Sequence, residues 1–128
     1  MILRLYNGIK RRILRYGSLL AYSYSNIKRH SQTRLSNLHN IHADKRAFIV
    51  CNGPSLKAED LNLLHQRGEI TFACNKIDKI FPQTDWRPTY YAVLDETYQH
   101  SLLSTMNIVP AEVKFFRKES YLTTRKVK

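Results

Sequence analysis

Apolar residues follow two rhythms along this chain. Over the first sixteen residues, Ile2, Leu5, Tyr6, Ile9 and Ile13 recur at the spacing of one helix face. Arg4, Arg11 and Arg15 lie mostly on the opposite side. From residue 47 the rhythm changes. Ala47-Phe48-Ile49-Val50-Cys51 is an unbroken apolar run stopped by Asn52-Gly53-Pro54-Ser55. That is the pattern of a strand buried on both faces of a parallel sheet. Leu56 to Arg67 carries Leu56, Leu61 and Leu64 on one side. It predicts a short helix with Ser55 as N-cap and Gly68 as the residue just past its end. Ile70–Cys74 is a second strand, ending at Asn75. Thr89–Leu94 is a third, entered through Trp86-Arg87-Pro88 and ending at Asp95. Glu96 to about Met106 reads as a helix, and Val113–Phe116 as a fourth, weaker strand. Strands alternating with helices predict an α/β fold, a parallel sheet of about four strands with right-handed crossovers and a basic helical arm ahead of it.

Charge separates these two regions. The chain has 128 residues and a formal net charge of +11. Residues 1–43 hold eight Lys/Arg and no acid, while the rest hold thirteen Lys/Arg and all ten acids. The expected division is therefore a basic, partly helical arm over 1–44 and the α/β domain over 45–128. The arm has three readings: solvated or packed on its own chain, lying on an anionic membrane surface, or an Arg- and Ser-containing transit peptide. Gly8 and Gly17 weaken its helix. No apolar run approaches the ~20 residues of a bilayer span. His39 and His42 stand three apart with no further ligand at metal spacing, so they read as a polar linker. No RNA-binding motif accompanies the aromatic residues Trp86, Tyr90 and Tyr91, so no specific nucleic-acid partner is expected. Two cysteines, Cys51 and Cys74, are too few for a secreted disulfide scaffold. They fit reduced residues of a cytoplasmic protein, peripheral at the inner membrane face if the arm docks there.

The candidate chemistry sits at the strand ends. In an open parallel sheet the ligand crevice lies outside the carboxyl ends of the strands. Asn52, Asn75 and Asp95 all fall there. Gly53 lets a phosphate approach the backbone, Pro54 stiffens the turn, and Ser55 opens a helix whose N-terminus favours an anion. Cys51 to Leu56 thus reads either as a phosphate cradle or as a plain tight turn. It is neither a Walker A loop nor a GxGxxG loop, so NAD is not indicated.

CNGPSL after a buried strand, then FACNKI, then WRPTYYAVLDE resembles a bacterial superfamily with a similar order of blocks. That superfamily includes the sialyltransferases of lipooligosaccharide, proteins similar to archaeal 6-hydroxymethylpterin pyrophosphokinase, and motility accessory factors. The resemblance covers about residues 45–97. It implies a Rossmann-like nucleotide-binding domain, donor-phosphate contacts from Asn52 and Gly53, and a nucleotide-sugar contact from Asn75. It implies glycosyl transfer from a nucleotide-sugar donor in surface polysaccharide synthesis.

Two departures qualify it. Cys51 stands where the motif usually has Gly, and Asp95 where the sialyltransferases have Asn. A carboxylate beside a phosphate is repulsive unless a cation intervenes, so Asp95 points to Mg²⁺ and to the pyrophosphokinase-like branch as the alternative. The other reading of Asp95 is a helix N-cap. A third function class, a non-catalytic binding module, would use the basic arm alone. The resemblance also implies a catalytic His from a later region, and His100 lies too early to match it. The chain therefore reads as the donor-binding half of an enzyme, inactive by itself and prone to self-association through uncovered sheet surface.

Overall fold

The structure is a computed structural model and describes residues 2–95 and 101–127. It divides into two compact units. One comprises residues 1–41 with 117–126; the other comprises residues 42–116 with 127–128. The segment 117–126, expected to belong to the sheet domain, thus clusters with the arm.

The arm is more helical than its sequence pattern predicts. α1 runs over Ile2–Tyr24 and α2 over Asn26–Asn37, with Ser25 between them in an extended conformation. A 3-10 turn at Lys118–Ser120 leads into the short helix Tyr121–Thr124 of the same unit. Gly17, expected to weaken α1, instead lies beside Ser18 where α1 meets the Tyr121–Thr124 helix. Ser18 is buried, and its hydroxyl accepts the Leu122 N–H at 3.3 Å. A Cβ on Gly17 would meet Leu122 Cδ1 at 3.5 Å. Tyr22 stacks edge-on against Tyr121, with centroids 6.1 Å apart. Tertiary packing outweighs the propensity cost of one glycine.

The second unit is an α/β layer. β1 (Ala47–Val50), β2 (Ile70–Cys74), β3 (Tyr90–Val93) and β4 (Val113–Phe116) form one sheet in the order β1-β2-β3-β4. All three pairings are parallel, with Ile49 opposite Phe72 and Phe72 opposite Tyr90. α3 (Ala58–Gln66) joins β1 to β2, and a 3-10 helix over Ile77–Gln83 follows β2. α4 (Leu103–Ile108) precedes β4, and the Tyr121–Thr124 helix of the first unit is α5. The stretch 96–100 of the expected helix after Asp95, with His100, lies outside the described residues.

A sheet wound in sequence order with right-handed crossovers carries its connections on one face. The burial follows that rule. Val50, Ala73, Tyr91 and Val93 point into a core with Leu61, Ile77, Trp86, Leu102, Met106 and Val109. The opposite face is less covered: Ile49 is 80% exposed and Phe72 36%. On that face Phe72 stacks on Tyr90 at 4.5 Å, and the Tyr90 hydroxyl meets His42 Nε2 at 2.6 Å. His42 is therefore a cover for β3. Among the described residues, no group of three or more His, Cys, Asp or Glu side chains is placed to hold a metal ion, and no helix is long and apolar enough to cross a membrane.

The helix α3 ends as its glycine predicts. Gly68 has φ +61, and its N–H bonds the His65 carbonyl while Glu69 N–H bonds that of Leu64, both at 3.0 Å. This is a Schellman closure. The start of α3 differs from the expectation. Lys57, not Ser55, is the N-cap, and Ala58 is the first helical residue. Pro54 and Ser55 fall in a turn closed by Leu56 N–H to Gly53 C=O at 3.1 Å. A proline-containing turn satisfies those backbone groups before the helix can begin.

Candidate functional site

Because β1, β2 and β3 are parallel, their carboxyl ends lie along one edge. Two residues at that edge are tied down by the backbone. The Asn52 side-chain amide donates to the Cys74 carbonyl at 2.9 Å, linking the end of β1 to the end of β2. Asn75 takes a left-handed backbone with φ 52, a conformation asparagine tolerates better than most residues. Its N–H bonds the Ala92 carbonyl at 3.3 Å, and its own carbonyl accepts the Tyr91 hydroxyl at 2.5 Å. Tyr91 is fully buried. Burial, with the Asp78 carboxylate and the Cys74 thiol behind it, pushes its phenol well above the ordinary range. The hydroxyl therefore stays protonated and keeps donating to Asn75.

Between these two asparagines opens a cleft of about 580 Å³. That lies in the range of small-molecule and cofactor sites, roughly 300–1,000 Å³. Asn52, Gly53, Asn75, Lys76, Lys79 and Gln83 form its polar wall, and Leu56, Ile77, Ile80 and Leu102 its apolar wall. Among the described residues, two lysines and no carboxylate line it, which favours an anion.

Lys76 and Lys79 were not among the residues expected here. They stand at the start of the 3-10 helix, three residues apart. In a 3-10 helix such positions eclipse, so both reach the same cleft. Ile77 and Ile80 repeat the spacing on the apolar side. The period-three pattern KIDKI was the signal in the sequence.

The expected site residues divide. Asn52, Gly53 and Asn75 meet on the cleft wall; Pro54, Ser55 and Asp95 do not line it. Ser55 cannot bring a helix N-terminus to the cradle, since α3 starts at Ala58. Its first turn already holds Glu59 and Asp60, which complement the helix dipole and disfavour a second anion there. Asp95 follows β3 and is exposed. Among the described residues, no group of three or more His, Cys, Asp or Glu side chains includes it.

Replacing Asn75 by glycine separates the backbone from the side chain. Glycine adopts the same left-handed conformation readily. Stability in a urea melt should therefore shift by no more than about 1 kcal/mol, while any ligand held by the amide is lost.

Cys51 and Cys74 end adjacent strands and both are free thiols. Burial, reinforced by the neighbouring Cys51, raises the Cys74 thiol above its usual range, whereas Cys51 is exposed. The thiolate is the reactive form. Alkylation with iodoacetamide at mildly alkaline pH should label Cys51 first, with Cys74 following slowly, as read by peptide mass spectrometry.

No protein-family model, no curated protein and no solved structure matches this chain at a significant level.

Proposed function

We propose that the cleft between Asn52 and Asn75 binds the phosphate-bearing part of a nucleotide-sugar donor, and that the protein is glycosyltransferase-like, serving bacterial surface polysaccharide or lipooligosaccharide synthesis. One observation carries this reading. Asn52, Gly53 and Asn75, the residues that the sialyltransferase resemblance singles out, line one cleft together with Lys76 and Lys79.

The chemistry follows from those groups. The two ammonium groups offset the charge of a nucleotide phosphate, and charge-assisted hydrogen bonds of this kind are the strong ones. Asn52 and Asn75 supply amide donors and acceptors on positions held by backbone hydrogen bonds. Gly53 presents no side chain: the nearest atom to a Cβ built there is Ser55 Oγ, at 3.8 Å. Leu56, Ile77, Ile80 and Leu102 give an apolar wall for a base or sugar face. The described residues are assigned donor binding and no catalytic base. The two free thiols suit a reducing compartment, and we place the protein in the cytoplasm.

Calorimetric titration with CMP-, UDP- and GDP-linked sugars tests this reading. Binding of at least one, without added metal, is the expected result. No heat with any of them at millimolar concentration would contradict it. Binding of ATP that requires Mg²⁺ and weakens on Asp95→Asn would instead move the assignment to pyrophosphoryl transfer.

A further inference from the structure

The arm's unit holds all of the protein's excess charge. Residues 1–41 and 117–126 carry twelve Lys/Arg against a single acid, Glu119, whereas residues 42–116 with 127–128 carry nine against nine. The same unit displays apolar surface. Leu5, Tyr6, Ile9, Ile13, Tyr16 and Leu20 are all exposed, Leu5 at 68% and Ile13 at 65%. At 3.6 residues per turn these six fall within an arc of about 100° along α1. Lys10 and Arg12 flank that arc, one on each side, within about 40° of its edges.

This stripe is not the face that α1 uses for its own packing. Ser18 and Tyr22, which contact Leu122 and Tyr121, lie on the opposite side of the helix from the middle of the stripe. A row of large apolar side chains left in water is costly, at roughly 25 cal/mol per Å² of apolar area. Spanning a bilayer does not resolve it, because Arg4, Lys10, Arg11, Arg12 and Arg15 lie within α1 and no described helix qualifies as a span. Lying in the plane of an anionic interface does. The stripe would sit at the headgroup–acyl boundary, flanking Lys10 and Arg12 would reach lipid phosphates along their aliphatic stems, and the acid-free surface around them would be attracted to the leaflet.

We infer that α1 is an in-plane membrane anchor that docks the protein on a bilayer surface rich in anionic phospholipid. Tyr6 and Tyr16 in the stripe match the aromatic enrichment of such interfaces. An RNA partner would account for the charge but not for the aliphatic residues at the middle of the stripe.

Vesicle co-sedimentation of the full chain tests the inference. The protein should pellet with vesicles of mixed phosphatidylcholine and phosphatidylglycerol, and stay in the supernatant with phosphatidylcholine alone. High salt should weaken the binding. The pair Ile9→Glu and Ile13→Glu should lower partitioning by about 100-fold, and the pair Lys10→Glu and Arg12→Glu by about tenfold or more. All four positions are exposed, so circular dichroism of both variants should match the parent. A parent that ignores anionic vesicles, or an Ile9/Ile13 variant that binds them equally well, overturns the assignment. So does a parent dimer that the Ile9/Ile13 variant splits and anionic vesicles leave intact, since the stripe then belongs to a second copy. Charge-driven binding to single-stranded RNA that the Ile9/Ile13 variant retains, with no vesicle binding by the parent, also overturns it.

Discussion

Replacing Lys76 and Lys79 together by alanine should reduce nucleotide-sugar affinity by about 100-fold or more. Hydrogen bonds to charged groups contribute about 1.5–3 kcal/mol each, and every 1.4 kcal/mol is about tenfold in affinity. Both side chains are exposed at the mouth of the cleft, so the thermal melt should barely move. A single substitution should have a smaller effect, because the remaining ammonium still faces the phosphate. Calorimetry on the double variant checks the binding and a melt checks the fold. Full affinity in the double variant would place the phosphate somewhere else.

The second large effect concerns the scaffold. Trp86→Ala should destabilise the sheet unit by about 3–5 kcal/mol. Trp86 is 1% exposed and sits within the main core cluster. Its backbone N–H donates to Thr84 Oγ1 at 3.0 Å, and that hydroxyl in turn donates to Asn62 Oδ1 at 2.6 Å. The indole lies against Phe81 with centroids 6.4 Å apart, and the Arg87 guanidinium covers the Phe81 ring at 4.3 Å. Losing the indole therefore opens a cavity within the core cluster. Whole domains are stable by only about 5–15 kcal/mol, so a substantial unfolded fraction is expected in a urea titration followed by circular dichroism. Ile49→Thr, at a site 80% exposed on the other face, should change stability by less than about 1 kcal/mol. Equal effects of the two substitutions would mean that the buried face is wrongly identified.

The sheet was legible because its strands are short apolar runs with polar stops. β2 and β4 fall where the runs Ile70–Cys74 and Val113–Phe116 stand, and β1 and β3 are one to two residues shorter than their runs. The end of α3 was legible through Gly68, because a left-handed residue is a strong local requirement. Its start was not. Ser55 has cap chemistry, yet Pro54 commits the backbone to a turn, and Lys57 caps the helix with no side-chain hydrogen bond. α2 was missed because Asn26–Asn37 is strongly polar and contains no buried residue, so periodicity carried no signal. The second half of α1 was missed because its support comes from residues about a hundred positions away, Tyr121 and Leu122.

The candidate site was legible to the same degree. Asn52, Gly53 and Asn75 could be placed from strand ends alone, since a parallel sheet delivers them to one edge. Lys76 and Lys79 could not, because a seven-residue 3-10 helix containing Pro82 is longer than such helices usually run. Asp95 showed the reverse: the sequence places it at the correct edge, and the cleft forms between β1 and β2 without it.

The most direct measurement is an amide NMR titration of the full chain with the nucleotide sugar that binds it. Donor binding in the cleft predicts large, saturable shifts at Asn52, Gly53, Asn75, Lys76 and Lys79, with the α1 and α2 amides unmoved. Shifts absent from those five residues and concentrated instead at the amino edge of the sheet, around Arg46 and Glu69, would contradict it.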